Sequence, residues 1–244
     1  MSTKLQSVIT GEASLLSFRI SRQGFLELGR SHLLFGLVIT WIVGMGRYWD
    51  DPRATLLQHL GLGSVIYIFL LSMFVWLVIW PLRPKEWSYK KVLTFVSLTS
   101  APAILYAIPV ERFFSLPTSR SVNAWFLAVV AAWRVALLIL FLKRYAQLRA
   151  HEITVAACLP LTLIVTTLTV LNLERAVFDI MAGLRERAAT SNDTAYMILN
   201  VLTFFSIYLF VPLLLIYAGL VLHGISKRRA ARLATSREAE LSVE

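Results

Sequence analysis

The chain has 244 residues, 57% of them hydrophobic and only 16% charged, with a mean hydropathy of +0.69 and a formal charge of +10. Soluble domains are about a quarter charged, so this composition points to lipid as the solvent and argues against a soluble enzyme domain or a disordered chain. Cys158 is the single cysteine, which excludes an intrachain disulfide scaffold.

Residues 1–30 contain no apolar run of signal-peptide length, so no cleaved signal is expected. Leu15, Leu16, Phe18, Ile20, Phe25, Leu26 and Leu28 interleave instead with Arg19, Arg22 and Arg30. This mixture reads as an amphipathic segment lying in the cytoplasmic membrane interface against anionic lipid headgroups; the alternative is an ordinary packing helix.

A bilayer core of about 30 Å needs roughly 20 apolar residues in a helix. Six stretches qualify within residues 31–224. The first, 33–49, ends in Gly44, Gly46 and Arg47. The second, 60–82, is the most apolar and begins beside Gly61 and Gly63, so these two helices are expected to approach closely near that end. The third, 92–110, contains Pro102 and Pro109, and the fourth, 123–142, carries Arg134. The fifth, 153–173, is rich in threonine, and the sixth, 197–222, contains Pro212. Helices satisfy their own backbone polar groups in lipid, and the continuous apolar runs lack the alternation of a barrel. The expected fold class is therefore all-α, a polytopic bundle of six transmembrane helices.

Arg134 costs about 2.5–3.5 kcal/mol at mid-span even on the mild insertion scale, and such residues usually face the bundle interior. Ser72, Thr99, Ser100 and Thr166 stand at similar depth, and Pro102 frees the carbonyl of Leu98 for an arginine. These residues form either a structural hydrogen-bond hub or a charge in an anion pathway. At the outer ends of the odd-numbered spans stand Arg47, Asp50, Asp51, Glu111, Arg112, Glu174, Arg175 and Asp179. Arginine–carboxylate pairing is expected there, as a clasp, as a site for an ion or lipid headgroup, or as an acid–base cluster acting on lipid. Between the fifth and sixth spans, residues 174–187 read as a short helix on the outer face.

The chain closes with a cytoplasmic tail over 225–244. Its Lys227, Arg228, Arg229 and Arg232 suit docking to anionic lipid or a soluble protein partner before the sequence turns acidic. Sixteen of the 24 lysines and arginines fall on one side of the six spans and seven on the other. The positive-inside rule then places both termini in the cytoplasm, in a plasma membrane of the bacterial inner-membrane type. The basic excess is thus a matter of topology, and no direct nucleic-acid binding is expected.

No phosphate loop, His-Glu-x-x-His motif or cysteine pair is present, so neither a cofactor nor a metal site is expected. The sequence reads best as a non-enzymatic multi-pass protein, a channel-like or effector component working with a soluble partner and forming a homo-oligomer. The alternatives are a transporter subunit that takes a small anion at Arg134, and an enzyme acting on lipid at the outer rim.

Overall fold

A computed structural model describes residues 3–49, 55–173 and 194–241, and all of its regular structure is helical among these residues. The elements are α1 (Thr3–Leu16), α2 (Arg22–Glu27), α3 (Arg30–Gly46), α4 (Leu56–His59), α5 (Leu62–Ile79), α6 (Tyr89–Leu98), α7 (Leu116–Arg144), α8 (Ala150–Val170) and α9 (Thr194–Leu241). Short 3-10 segments cover Trp80–Leu82, Ala101–Ala107 and Val110–Arg112. The expected outer-face helix over 174–187 lies outside the described residues.

Among the described residues four helices are long and apolar enough to cross a membrane: Leu62–Leu82, Ser121–Arg144, Ala150–Val170 and Met197–Ala230. On α5 only the stripe Ile68, Ser72, Val75 and Ile79 is buried, while Ile66, Leu70, Met73 and Leu77 are exposed. A helix apolar all round with so little of it covered is built for a hydrocarbon solvent. α3 is shorter, at 17 residues. The third apolar stretch is not one α-helix: α6 stops after 10 residues and the chain continues as a 3-10 segment through Ala107. Pro102 supplies no N–H to the Leu98 carbonyl, and α geometry gives way there to the 3-10 segment. The N–H of Ala103 reaches back only three residues, to the Ser100 carbonyl at 3.0 Å.

α6 is the centre of the bundle. Every residue from Val92 to Ser100 is buried, with α3 and α5 packed against it and against each other. Close approach depends on small residues, since van der Waals contact is what joins apolar helices in lipid. A β-carbon at Gly36 of α3 would lie 2.5 Å from Ser97 Oγ and 2.9 Å from the Leu98 amide nitrogen of α6. Near the far end of α3, a β-carbon on Gly44 would sit 2.7 Å from Ser64 Oγ of α5. Gly61 has φ +66°, a left-handed turn that favours glycine, and its missing β-carbon would stand 2.7 Å from the Trp41 carbonyl oxygen.

The opposite end carries the basic loops, and here the N-terminal region is sewn to the bundle. Leu15, Ile20, Phe25 and Leu28 are buried in the main apolar core. The hub of that core is Phe141, whose ring stacks on Phe95 at 4.2 Å and on Tyr145 at 4.8 Å and meets the edge of Phe25 at 5.3 Å. Side chains of later helices cap the backbone of the first ones. Trp133 Nε1 donates to the Leu16 carbonyl at the end of α1 (3.1 Å), and Arg144 donates to the Phe18 and Ile20 carbonyls. Lys91 Nζ donates to three carbonyls at the end of α2, those of Phe25 (3.3 Å), Leu26 (2.8 Å) and Leu28 (2.8 Å). A cation at a helix C-terminus satisfies orphan acceptors and complements the dipole. Burial holds the Lys91 ammonium below its usual pKa, with Glu86 pulling the other way.

α9 is 48 residues long, about 72 Å at helical rise, and packs chiefly on α8. Leu213 joins Val155 and Leu159 of α8, and Tyr217 donates to the Val78 carbonyl of α5 at 2.8 Å. Beyond this contact zone the helix runs on to Leu241 as a stalk.

Candidate functional site

The break in the third apolar stretch gathers the polar side chains of the bundle centre. Thr40, Ser72, Thr94, Ser97, Thr99 and Ser100 are all buried. Most of these hydroxyls donate to a carbonyl one turn back in their own helix: Ser72 to Ile68 (2.6 Å), Ser97 to Thr94 (2.9 Å) and Thr99 to Val96 (2.8 Å). Thr40 donates to Gly36 (2.8 Å) and also reaches the Ser97 carbonyl across the α3–α6 contact (3.4 Å). Such back-bonding lets hydroxyls sit in an apolar interior at little cost, but it also uses up their donors. Ser100 is the exception: its Oγ is buried at the break and has no partner among the described residues. Thr166 Oγ1 on α8 is likewise buried and unpartnered, but α8 has α9 and α7 as its principal neighbours.

Arg134 stands on α7, half-buried. Among the described residues no carboxylate pairs with it, and no hydrogen bond joins it to the Leu98 carbonyl or to the serine and threonine hydroxyls, whose partners are backbone carbonyls where they have any. What its charge acts on is the phenol of Tyr106, in the 3-10 segment after the break, on which Arg47 and Tyr67 also act. The Arg47 guanidinium lies 5.5 Å from the Tyr106 ring centroid and equally far from that of Tyr48. The end of α3 and α7 both pack on the 3-10 segment that carries Tyr106. Cation–π contact stabilises guanidinium where water is scarce.

The rim beside it is joined in the same manner. Arg112 lies over the Trp49 ring at 5.0 Å, and Trp49 Nε1 donates to the Ala107 carbonyl at 3.0 Å. Asp50, Asp51, Glu174, Arg175 and Asp179, and the side chain of Glu111, lie outside the described residues, so the expected carboxylate pairing falls there too. In the tail, Lys227 and Arg229 are exposed, whereas Arg228 is half-buried with Nη1 enclosed and unpartnered among the described residues. The side chain of Arg232 is outside the described set.

Reasoning from sequence missed Tyr106, because an aromatic near a span end reads as an interface anchor. It also missed Gly36, which no glycine pair flags. Chemically, the phenol and the guanidinium groups all offer N–H or O–H donors, which suits an anionic oxygen. Among the described residues no three His, Cys, Asp or Glu side chains gather as metal ligands. In comparisons with known proteins, the chain matches no family model, no curated protein and no solved structure.

Proposed function

We propose that this chain is a non-enzymatic, channel-like membrane component that holds a small anion, or the anionic oxygens of a headgroup, beside its broken third span. The observation that carries this reading is Arg134: a guanidinium within an apolar helix long enough to cross a membrane, with no countercharge among the described residues and a tyrosine phenol as its electrostatic neighbour. Ionisable residues at such depth face the bundle interior or a water-filled cavity, which is where ligand and ion paths run. Unwound backbone at membrane depth is tolerated only where protein buries it or a cavity adjoins it, and the 3-10 segment at Ala101–Ala107 supplies it next to that charge.

Six crossings are part of the proposal. The ten residues of α6 rise about 15 Å and the seven of the 3-10 segment about 14 Å, together close to a bilayer core. α3 rises about 26 Å over its 17 residues. With six crossings, the lysine and arginine distribution sets both termini on the cytoplasmic side of a bacterial-type plasma membrane. Purified protein in liposomes should show anion flux, read with chloride and with inorganic phosphate. Arg134→Leu should lower it at least tenfold and Arg134→Lys by less. Absence of flux in the native protein, or equal flux in Arg134→Leu, counts against the reading.

A docking role has its own support in α9, which continues as a helix past its contacts with α8 and bears Lys227 and Arg229 exposed. On that reading a soluble protein partner co-purifies with the native chain and is lost on neutralising Lys227, Arg228 and Arg229, while membrane insertion is retained.

A further inference from the structure

The seam between α1 and the bundle contains one carboxyl group that the proposed function does not use. Val8, Glu12 and Leu15 are the buried positions of α1, with exposures of 4%, 7% and 0%. Spacings of four and three place them on one helical face. Glu12 is thus the one ionisable group among the buried residues described on the face by which α1 is seated, and its Oε1 is enclosed without a hydrogen-bond partner among the described residues. A buried carboxylate with nothing to pair with is among the costliest groups a seam can hold, whereas a neutral carboxyl is tolerable.

The groups that face this region from each neighbouring element do nothing to relieve that cost. From α3, His32 lies against Gly11, with Nε2 3.0 Å from where a β-carbon would stand on that glycine. His32 Nδ1 accepts from the Gly29 amide at 3.3 Å, so the neutral ring carries its proton on Nε2. The charged residues at α3 are Arg30 at its start and Arg47 just past its end. α7 offers Arg134, which acts on Tyr106, and Arg144, which is taken up by the Phe18 and Ile20 carbonyls. The 3-10 segment offers Tyr106 alone. None of these charges acts on Glu12: burial by itself pushes its carboxyl from 4.5 to about 7.

We propose that Glu12 is a proton-binding site that fastens α1 to the bundle, so that α1 is seated while the carboxyl holds its proton and loosens when the proton leaves. The seat matters because α1 forms one wall of an apolar groove of about 560 Å³, with Pro102 and Leu105 of the broken span and Val130 and Trp133 of α7 as the facing walls. Loosening α1 uncovers the 3-10 segment from that side. The seated form binds the proton more tightly than the released form. Seating is therefore strongest below about pH 4.5, weakens by up to about tenfold per pH unit between 4.5 and 7, and levels off above that. The whole swing is on the order of 300-fold in the ratio of seated to released helix.

The test uses the full chain in liposomes with Cys158 replaced by serine, and a single cysteine introduced either as Val8→Cys, in the seam, or as Gln6→Cys, on the exposed side of α1. The ratio of their maleimide-labelling rates removes the pH dependence of the thiol itself. It should rise at least tenfold from pH 5 to pH 8, and stay low and flat when Glu12→Gln is added. Amide hydrogen exchange over residues 3–16, corrected for intrinsic rates and measured with the native Val8 and Cys158 retained, should follow the same pattern. A flat ratio with Glu12 present would overturn the proposal. So would an equal rise in Glu12→Gln, which would assign the titration to His32.

Discussion

At the scale of single residues, the tightest of the described glycine contacts is at Gly36, where the backbone of α3 lies on Ser97 and Leu98. Ser97 is fully buried and its Oγ is held to the Thr94 carbonyl, so neither side can yield. Gly36→Ala should therefore lower stability by about 1–3 kcal/mol through overpacking. Gly219→Ala, at a glycine whose added β-carbon meets nothing within 4 Å, should match or exceed the native protein because alanine suits a helix. Thermal unfolding in one detergent compares the two, and an undisturbed Gly36→Ala would mean that α3 and α6 are further apart than described. Glycines at span ends announce close contact because two of them recur together, as around Gly44 and Gly61. A lone glycine in mid-helix gives no such sign. Arg134 was visible for the opposite reason: its charge is anomalous in an apolar run, although its neighbour Tyr106 was not foreseeable from spacing.

Among the elements, α2 shows how a six-residue helix survives. It is too short to be stable by its own hydrogen bonds, and is held by the Ser21 cap on Gly24 at one end (3.1 Å) and by Lys91 at the other. Lys91→Met keeps much of the stem and removes the ammonium from three carbonyls. Bonds to charged donors are worth about 1.5–3 kcal/mol, so α2 should become markedly more open to protease over residues 17–29 while α8 and α9 stay protected. Equal cleavage in both proteins would show that the apolar seating of Phe25 suffices. Long continuous helices were the legible part of this fold: α5, α7 and α8 follow from apolar run length alone. The interruption after Leu98 was less so. Pro102 marks where the ladder loses a donor, but a helix can equally continue through a proline, as at Pro160 and Pro212, and residue spacing does not distinguish that from a 3-10 continuation. The N-terminal arm was ambiguous for a similar reason. An alternating apolar and basic pattern fits both a lipid surface and a protein groove, and the caps from Trp133, Arg144 and Lys91 come from residues far along the chain.

For the whole molecule, the separation of character between the two ends is the main consequence of sequence. One end is fastened by cations on carbonyls and by the Arg22–Glu86 pair at 3.7 Å, the other by arginines on aromatic rings and by glycine contacts. With an even number of crossings, cysteines introduced as Ser2→Cys and Ser242→Cys in a Cys158→Ser background should both react from the side that carries Lys85 and Lys90. In sealed inverted vesicles an impermeant maleimide should label both, and in right-side-out vesicles neither. Labelling of one but not the other would remove the six-span arrangement and the orientation with it.

The unbroken course of α9 has a mechanical corollary. Pro212 lies inside it, and proline is the usual pivot of a long helix. From there to Leu241 the rod measures about 43 Å, so a swing of ten degrees at that fulcrum would carry the tip sideways by roughly 7–8 Å. Leverage of this kind turns a repacking too slight to notice among buried side chains into a displacement that another molecule could register.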